Sequence, residues 1–181
     1  MKILETERLT LRTIDESAVN LLIKYYLKNF NFLKPRIPVS DISFFTFDNM
    51  LERVLKETDL FEKGIQISFY IFKKKSTDNI IGNVTISNII GGCFQSGFLG
   101  YQIDEDETGK GYAAEAVKSI LNFSFLKTDL HRVEANVMTD NIASIRVLEK
   151  LNFVKEGFSR NYLNLNGKWE DHFRYALLNK S

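Results

Sequence analysis

The chain has 181 residues, 44% hydrophobic and 26% charged, with a formal net charge of +1; that describes a water-soluble globular protein able to bury a core without disulfide or metal staples, and it argues against a dedicated nucleic-acid binder, which carries a strong basic field. The single cysteine, Cys93, excludes an internal disulfide and fits a reducing compartment. No apolar run approaches the ~18 residues of a bilayer-spanning helix, and charges interrupt the first twelve residues where a signal peptide would be apolar, so a cytoplasmic location without membrane attachment is expected.

No linker, repeat or low-complexity tract divides the sequence, so residues 1–181 are expected to form one domain. Residues 9–14 alternate and predict a strand. Asp15 is placed to cap a helix reaching about Lys28, with Ala18, Leu21, Leu22 and Tyr25 as its apolar stripe. Pro35 and Pro38 mark residues 29–40 as a loop. A second helix is predicted over 48–63, with Met50, Leu51, Val54, Leu55 and Leu60 at helical spacing and Gly64 at its end. Residues 65–72 and 80–90, β-branched and aromatic, predict a hairpin around the polar turn 73–79. Residues 95–103 continue as a third strand. A helix over 111–125, a strand over 133–137 and a short helix over 142–151 follow. Two strands around Leu165-Asn166-Gly167 close the chain, where Asn-Gly is a strong hairpin signal. This order predicts a mixed sheet with helices on its faces.

The chemistry is concentrated in residues 101–114, Tyr-Gln-Ile-Asp-Glu-Asp-Glu-Thr-Gly-Lys-Gly-Tyr-Ala-Ala. A strand ends, a loop with two glycines one residue apart follows, and an amphipathic helix begins. Amides in the first turn of a helix lack intrahelical partners, and the helix dipole adds positive charge there, which suits a pyrophosphate. Gly109 and Gly111 would let the backbone approach it, and Lys110 could add a charge. Taken alone, Gly-x-Gly before a helix equally describes a tight strand-to-helix turn. It is neither a Walker loop nor a good dinucleotide fingerprint, since the spacing and the third glycine are missing. Asn141-Ile142-Ala143-Ser144 opens the next helix; Asn141 is a natural N-cap with Ser144 one turn on, and capping by itself would account for both.

In this order and spacing the two segments resemble the GNAT superfamily of N-acetyltransferases, and most closely its ribosomal-protein-alanine acetyltransferases. The supporting pieces are Glu7-Arg8-Leu9-Thr10-Leu11-Arg12, Leu99-Gly100-Tyr101, Gly109-Lys110-Gly111-Tyr112-Ala113-Ala114-Glu115-Ala116, Asn141-Ile142-Ala143-Ser144, Leu151-Asn152-Phe153-Val154-Lys155-Glu156-Gly157 and Asn166-Gly167-Lys168-Trp169-Glu170-Asp171-His172. The resemblance implies an α/β (α+β) fold, with a mixed, mostly antiparallel central sheet of about seven strands and helices on both faces. It implies acetyl-CoA as co-substrate. The backbone of Tyr101, Gln102 and Ile103 would pair with the pantetheine arm, and Thr108, Gly109, Lys110, Gly111, Tyr112, Ala113 and Ala114 would hold the pyrophosphate. Asn141 would bond the pantetheine or thioester region, and Ser144 would face the sulfur and protonate the leaving thiolate. The superfamily's Gln/Arg position falls on Asp106, and Asp104, Glu105, Asp106 and Glu107 are expected to turn their side chains to solvent, away from the phosphates.

Amine attack on a thioester needs a neutral amine, a polarised carbonyl and a stabilised thiolate. The acids that many superfamily members carry on the strand before the phosphate loop and on the last helix are absent here, where the chain has Gly97-Phe98-Leu99-Gly100 and Leu148. Glu115 is a catalytic candidate that could equally only hold the loop or face solvent, Glu134 reads as a paired structural carboxylate, Glu156 and Asp171 are weaker candidates, and a water chain is an equal alternative. His131 and His172 could each serve as the base, but both are expected outside the cleft, and with no metal-spaced neighbours no metal is expected. The resemblance implies as acceptor the N-terminal α-amino group of a protein, ribosomal in the best-known cases. A small amine such as a polyamine or aminoglycoside, or a non-catalytic acyl-CoA sensor, are the alternatives. Whether the protein is a monomer or a homodimer is left open.

Overall fold

The alternating stretches assemble into one eight-stranded sheet in a computed structural model that describes residues 1–179. The strands are β1 (Ile3–Glu5), β2 (Leu9–Arg12), β3 (Ile67–Lys73), β4 (Gly82–Ile90), β5 (Ser96–Ile103), β6 (Arg132–Met138), β7 (Val154–Leu165) and β8 (Lys168–Leu178). The helices are α1 (Val19–Leu33), α2 (Phe47–Glu62), α3 (Tyr112–Lys127) and α4 (Ile142–Lys150). The spatial order is β1-β2-β3-β4-β5-β6-β8-β7. All neighbours run antiparallel except β5 and β6, which run parallel. The strand beyond the seven expected is β1, which is too short for a period of two to declare itself. Its pairing, Ile3↔Arg12 to Glu5↔Thr10, defines it.

Helix α1 also departs from expectation. Asp15 does cap, accepting from the Ser17 amide, but it caps a 3-10 turn, Glu16–Ala18, that leads into the helix. The helix then runs on through Leu33, past the expected end at 28, because Phe30 and Leu33 continue the buried stripe. Asn29, which would favour a break, is held by donating from its side chain to the Tyr25 carbonyl one turn back at 2.9 Å. The loop expected from residue 29 therefore begins only after Leu33.

Strand β3 shows how the layers form. Its residues 67–72 are all buried, as a strand covered on both faces requires. Phe69 and Ile71 pack with Val117, Ile120, Val133 and Ala135 under α3 and α4. Tyr70 and Phe72 pack with Leu22, Tyr26, Met50 and Val54 under α1 and α2. Each fully buried side chain of this size contributes about 1.5–3 kcal/mol.

A polar tie joins the α1 layer to the loop after β5. Lys28 Nζ lies 2.8 Å from both carboxylate oxygens of Asp104 and 2.8 Å from Asp106 Oδ2. Asn29 donates to Asp104 Oδ2 at 3.2 Å and accepts the Glu105 amide at 2.9 Å. The four acids of this loop therefore do not all face solvent as expected. Asp104 is buried, and Glu107 bridges Lys73 at 2.6 Å and Lys110 at 2.8 Å, so only Glu105 and Asp106 are exposed. Burial pushes the Asp104 carboxyl up, but the hydrogen bonds from Lys28, Asn29 and the Asp106 amide outweigh it and hold it below its ordinary value of 3.8.

A carboxylate depressed by folding stabilises fully above its unfolded pKa, and the stabilisation is lost as pH falls through the folded value. Asp104→Ala should therefore lower urea-unfolding stability by about 1–3 kcal/mol at neutral pH. The gap from wild type should close as the pH falls below 3.8. An equal deficit at both extremes would mean that packing, not charge, carries the contribution.

Candidate active site

The site begins where the sheet opens. β5 and β6 pair only at Ser96↔Arg132, Gly97↔Val133 and Phe98↔Glu134. Beyond Phe98 the β5 edge facing β6 has no strand partner, although the strand sits in mid-sheet and still pairs with β4 through Ile103. Backbone groups in such a place need another partner. On the α1/α2 side, Gly100 is exposed, and a Cβ there would meet nothing within 4 Å.

Side chains, not ladder hydrogen bonds, tie the far rim of this gap. The Tyr101 hydroxyl lies 2.6 Å from Ser144 Oγ and 3.1 Å from the Ser144 carbonyl oxygen. Asn141 Oδ1 accepts the Ser144 amide at 3.2 Å, which fixes the first turn of α4. Burial pushes the Tyr101 phenol up to about 12, against the opposite pull of its bond to Ser144. The phenol thus stays protonated at neutral pH and can donate but not abstract a proton.

The loop after β5 ends in two left-handed residues, Gly109 at φ +74° and Gly111 at φ +81°, a region that glycine enters without strain. Gly111 is the N-cap of α3 and offers no side chain to its first-turn amides. A Cβ on Gly109 would meet nothing within 4 Å, so the space beside the loop is open. Open backbone donors at the positive end of a four-turn helix suit a diphosphate.

Arg8, which the sequence reading left without a role, anchors the loop from across the chain. Its guanidinium donates to the Lys110 carbonyl at 2.9 Å, packs 4.6 Å over the Tyr112 ring and pairs with Glu115 at 2.6 Å. Glu115, the tentative catalytic candidate, is therefore committed elsewhere. One oxygen accepts from Thr6 Oγ1 at 2.6 Å and the Arg8 amide at 2.9 Å, while the other accepts from Arg8 Nε at 2.7 Å. Partial burial raises its pKa, but these donors outweigh that and hold it low. Next to it lies a groove of about 560 Å³ lined by Arg8, Lys110, Lys118 and Lys150 among others. Thr108 closes the preceding turn, donating to the Glu105 carbonyl at 2.8 Å. Ala113 and Ala114 form the first turn of α3 with Tyr112.

The other acids weighed as proton acceptors are also engaged. Arg132 bonds Glu134 at 2.9 Å and Glu156 at 2.9 Å, and Asp171 accepts the Asn161 amide at 2.8 Å. His131 is exposed just before β6, and Cys93 is exposed in the β4–β5 turn. His172 is 3% exposed on β8, opposite Met138 at the end of β6. Among the described residues no group of three or more His, Cys, Asp or Glu could hold a metal ion, and no helix is long and apolar enough to cross a membrane.

A profile of the acetyltransferase (GNAT) domain matches residues 8–154. The [ribosomal protein uS5]-alanine N-acetyltransferase of Escherichia coli is 33% identical over 96% of this chain and 89% of its own. The crystal structure of a ribosomal-protein-S5-alanine acetyltransferase from Vibrio fischeri superposes with a TM-score of 0.92, at 33% identity, over 99% of this chain and 98% of that one. Mycobacterium smegmatis RimJ, in complex with CoA-disulfide, superposes with a TM-score of 0.86, at 26% identity, over 94% of this chain and 81% of its own.

Gly111→Val tests the loop. A branched residue at φ +81° is strained, and its Cβ would stand 3.3 Å from Arg8 Nη2. The fold should lose no more than about 1–2 kcal/mol, while calorimetry should show coenzyme A binding weakened by about tenfold or more, a loss of ~1.4 kcal/mol. Unchanged affinity would remove the loop from the binding site.

Proposed function

The chain belongs to the acetyltransferase (GNAT) domain family and is an acetyl-CoA-dependent N-acetyltransferase; we propose that its acceptor is the N-terminal α-amino group of a protein, with ribosomal proteins the first to test. The observation that carries this reading is the unpaired edge of β5 leading into the two left-handed glycines before α3. An extended arm can lie along the edge while its phosphates meet the helix terminus.

In this proposal the amides of Thr108 through Ala114 hold the diphosphate. The Tyr101, Gln102 and Ile103 backbone pairs with the pantetheine arm in place of the missing strand. Lys118 and Lys150, in the groove beside α3, suit the remaining phosphate of the nucleotide end. Arg8 and Glu115 position the loop and take no part in the chemistry. Asn141 uses its side-chain oxygen in the α4 cap, which leaves its amide nitrogen to donate toward the arm. Acetyl-CoA, when bound, supplies the activated acyl group as a thioester. The protein's contribution is to align the two substrates, direct a β5 backbone amide at the developing oxyanion and supply a proton to the leaving sulfur.

Ser144 is the proposed donor of that proton. Its hydroxyl is hydrogen-bonded to the Tyr101 phenol, which rests protonated at neutral pH, so Tyr101 can pass its proton to Ser144 as Ser144 gives up its own and take one back from solvent. The preference for a protein N-terminus over small amines is supported by the uS5-alanine relative, similar over nearly the whole of both chains.

A thiol-release assay across peptides with free N-terminal alanine or serine, polyamines and aminoglycosides tests the acceptor. The alanine peptide should give the highest kcat/KM. Preference for a polyamine would move the acceptor to the small amines, and binding without turnover on any of them would make the protein a sensor. Ser144→Ala should lower kcat by about 100-fold with the coenzyme A Kd little changed. An unaltered rate would leave Ser144 as part of a helix cap.

A further inference from the structure

Transfer to an amine requires that a proton leave nitrogen, and the carboxylates weighed for that role already have partners. Glu115 is taken by Thr6 and Arg8, Glu134 and Glu156 by Arg132, and Asp171 by the Asn161 amide. Glu57, on the α2 side, accepts from Arg53 Nε at 2.8 Å and from the Tyr70 hydroxyl at 2.9 Å. The His172 ring, on the open face, keeps one nitrogen without such a commitment.

His172 stands on the α1/α2 face of β8. Its opposite number, Met138, alternates with Val137, whose side chain joins the α3/α4 core. The ring is buried against Tyr162 at 5.8 Å. Its Nδ1 lies 2.9 Å from the Glu170 carbonyl oxygen. A carbonyl can only accept, so Nδ1 carries the hydrogen and Nε2 presents a lone pair. Among the described residues nothing donates to Nε2, and it is not sealed from solvent.

The neighbour of His172 on that face points to the same spot. Asn136 pairs with Arg174, which makes His172 its diagonal cross-strand neighbour, about 7–8 Å away between Cα atoms and within side-chain reach. Asn136 Oδ1 is buried without a partner, a costly condition unless something polar fills the place. Asn136 also lies two residues beyond Glu134, the last β6 residue paired with β5, as Gly100 lies two beyond Phe98. Asn136 and Gly100 thus lie on the face away from α3, each two residues beyond the last β5–β6 pair.

We propose that His172 Nε2 takes the proton from the acceptor amine and that the Asn136 side-chain oxygen holds the amine in place by accepting one of its N–H groups. The assignment rests on the acetyl-transfer function proposed above. The amine lone pair forms the new C–N bond at the thioester carbonyl, and the C–S bond breaks. The nitrogen's proton passes to Nε2, directly or through one water, and on to solvent. The departing thiolate takes the Ser144 hydroxyl proton, which Tyr101 and solvent replace. The charged or titratable side chains flanking His172 are Glu170 and Arg174 on its own strand and Tyr162 on β7; β6 offers only Met138 and Asn136. Lys34 lies at the end of α1, where Asn166 of the β7–β8 turn donates to its carbonyl at 2.9 Å.

His172→Asn separates chemistry from structure. The shorter amide keeps a donor for the Glu170 carbonyl and lacks the second ring nitrogen. With a peptide bearing N-terminal alanine, its kcat should fall about 100-fold or more, while the acetyl-CoA Kd and thermal midpoint stay near wild type. Wild-type rates near kcat for that variant would overturn the assignment. Should the variant not fold, the wild-type pH–rate profile decides, using two acceptor peptides of different amine basicity. An acidic limb that stays put between acceptors supports His172. A limb that moves with the acceptor overturns it. As a readout independent of turnover, the His172 ring resonances should shift when the Nα-acetylated product peptide is added; no shift would also overturn it. Absence of turnover by wild type on every amine would instead sink the acetyl-transfer reading itself.

Discussion

Everything in this protein depends on a strand pair that stops pairing. β5 and β6 share a ladder through Phe98 and Glu134 and then part, leaving hydrogen-bonding groups of a central strand without partners. A sheet does not leave such groups open at no cost. The gap persists because other contacts hold its sides: Tyr101 to Ser144 on the α4 rim, and Lys28 and Asn29 to Asp104 and Glu105 where β5 runs into the loop. The proposed binding site is therefore a fault in the sheet, kept in register by polar ties from both helical layers.

The same ties would let an acidic loop serve the anionic ligand proposed for it. Four consecutive acids precede the glycines, yet Lys28, Lys73 and Lys110 neutralise three of them within the loop's own fold. The field at the α3 terminus is left to the backbone amides, the helix dipole and the basic groove of Arg8, Lys118 and Lys150. Arg8 works twice, pairing with Glu115 while holding the Lys110 carbonyl, so the loop is braced by a residue more than a hundred positions away.

The sheet also divides the chemistry between its faces. The α3/α4 face carries the loop, the Tyr101–Ser144 pair and the basic groove. The α1/α2 face carries the open space over Gly100, the vacant Asn136 oxygen and His172. A donor and an acceptor reaching the gap from opposite faces would meet only there. The β7–β8 turn rests on the end of α1 through Asn166, which bonds the carbonyls of Lys34 and Ile37, so the approach to His172 is bounded on that side.

Local chemistry was legible in the sequence by itself. The alternation of β2, the Asp15 cap, the Asn166-Gly167 turn and the glycine pair before α3 all declare themselves within a few residues, because each is set by short-range sterics and hydrogen bonding. The family pattern across residues 101–114 and 141–144 identified the kind of ligand for the same reason. Other features lay in contacts between residues far apart in the chain. Glu115 looked available until Thr6 and Arg8 were brought to it, Asp104 and Glu107 looked solvated until Lys28 and Lys73 arrived, and His172 looked peripheral until β8 was laid beside β6. A side chain's charge state and freedom depend on what surrounds it in three dimensions. Those surroundings are assembled by strand order, which no local pattern encodes.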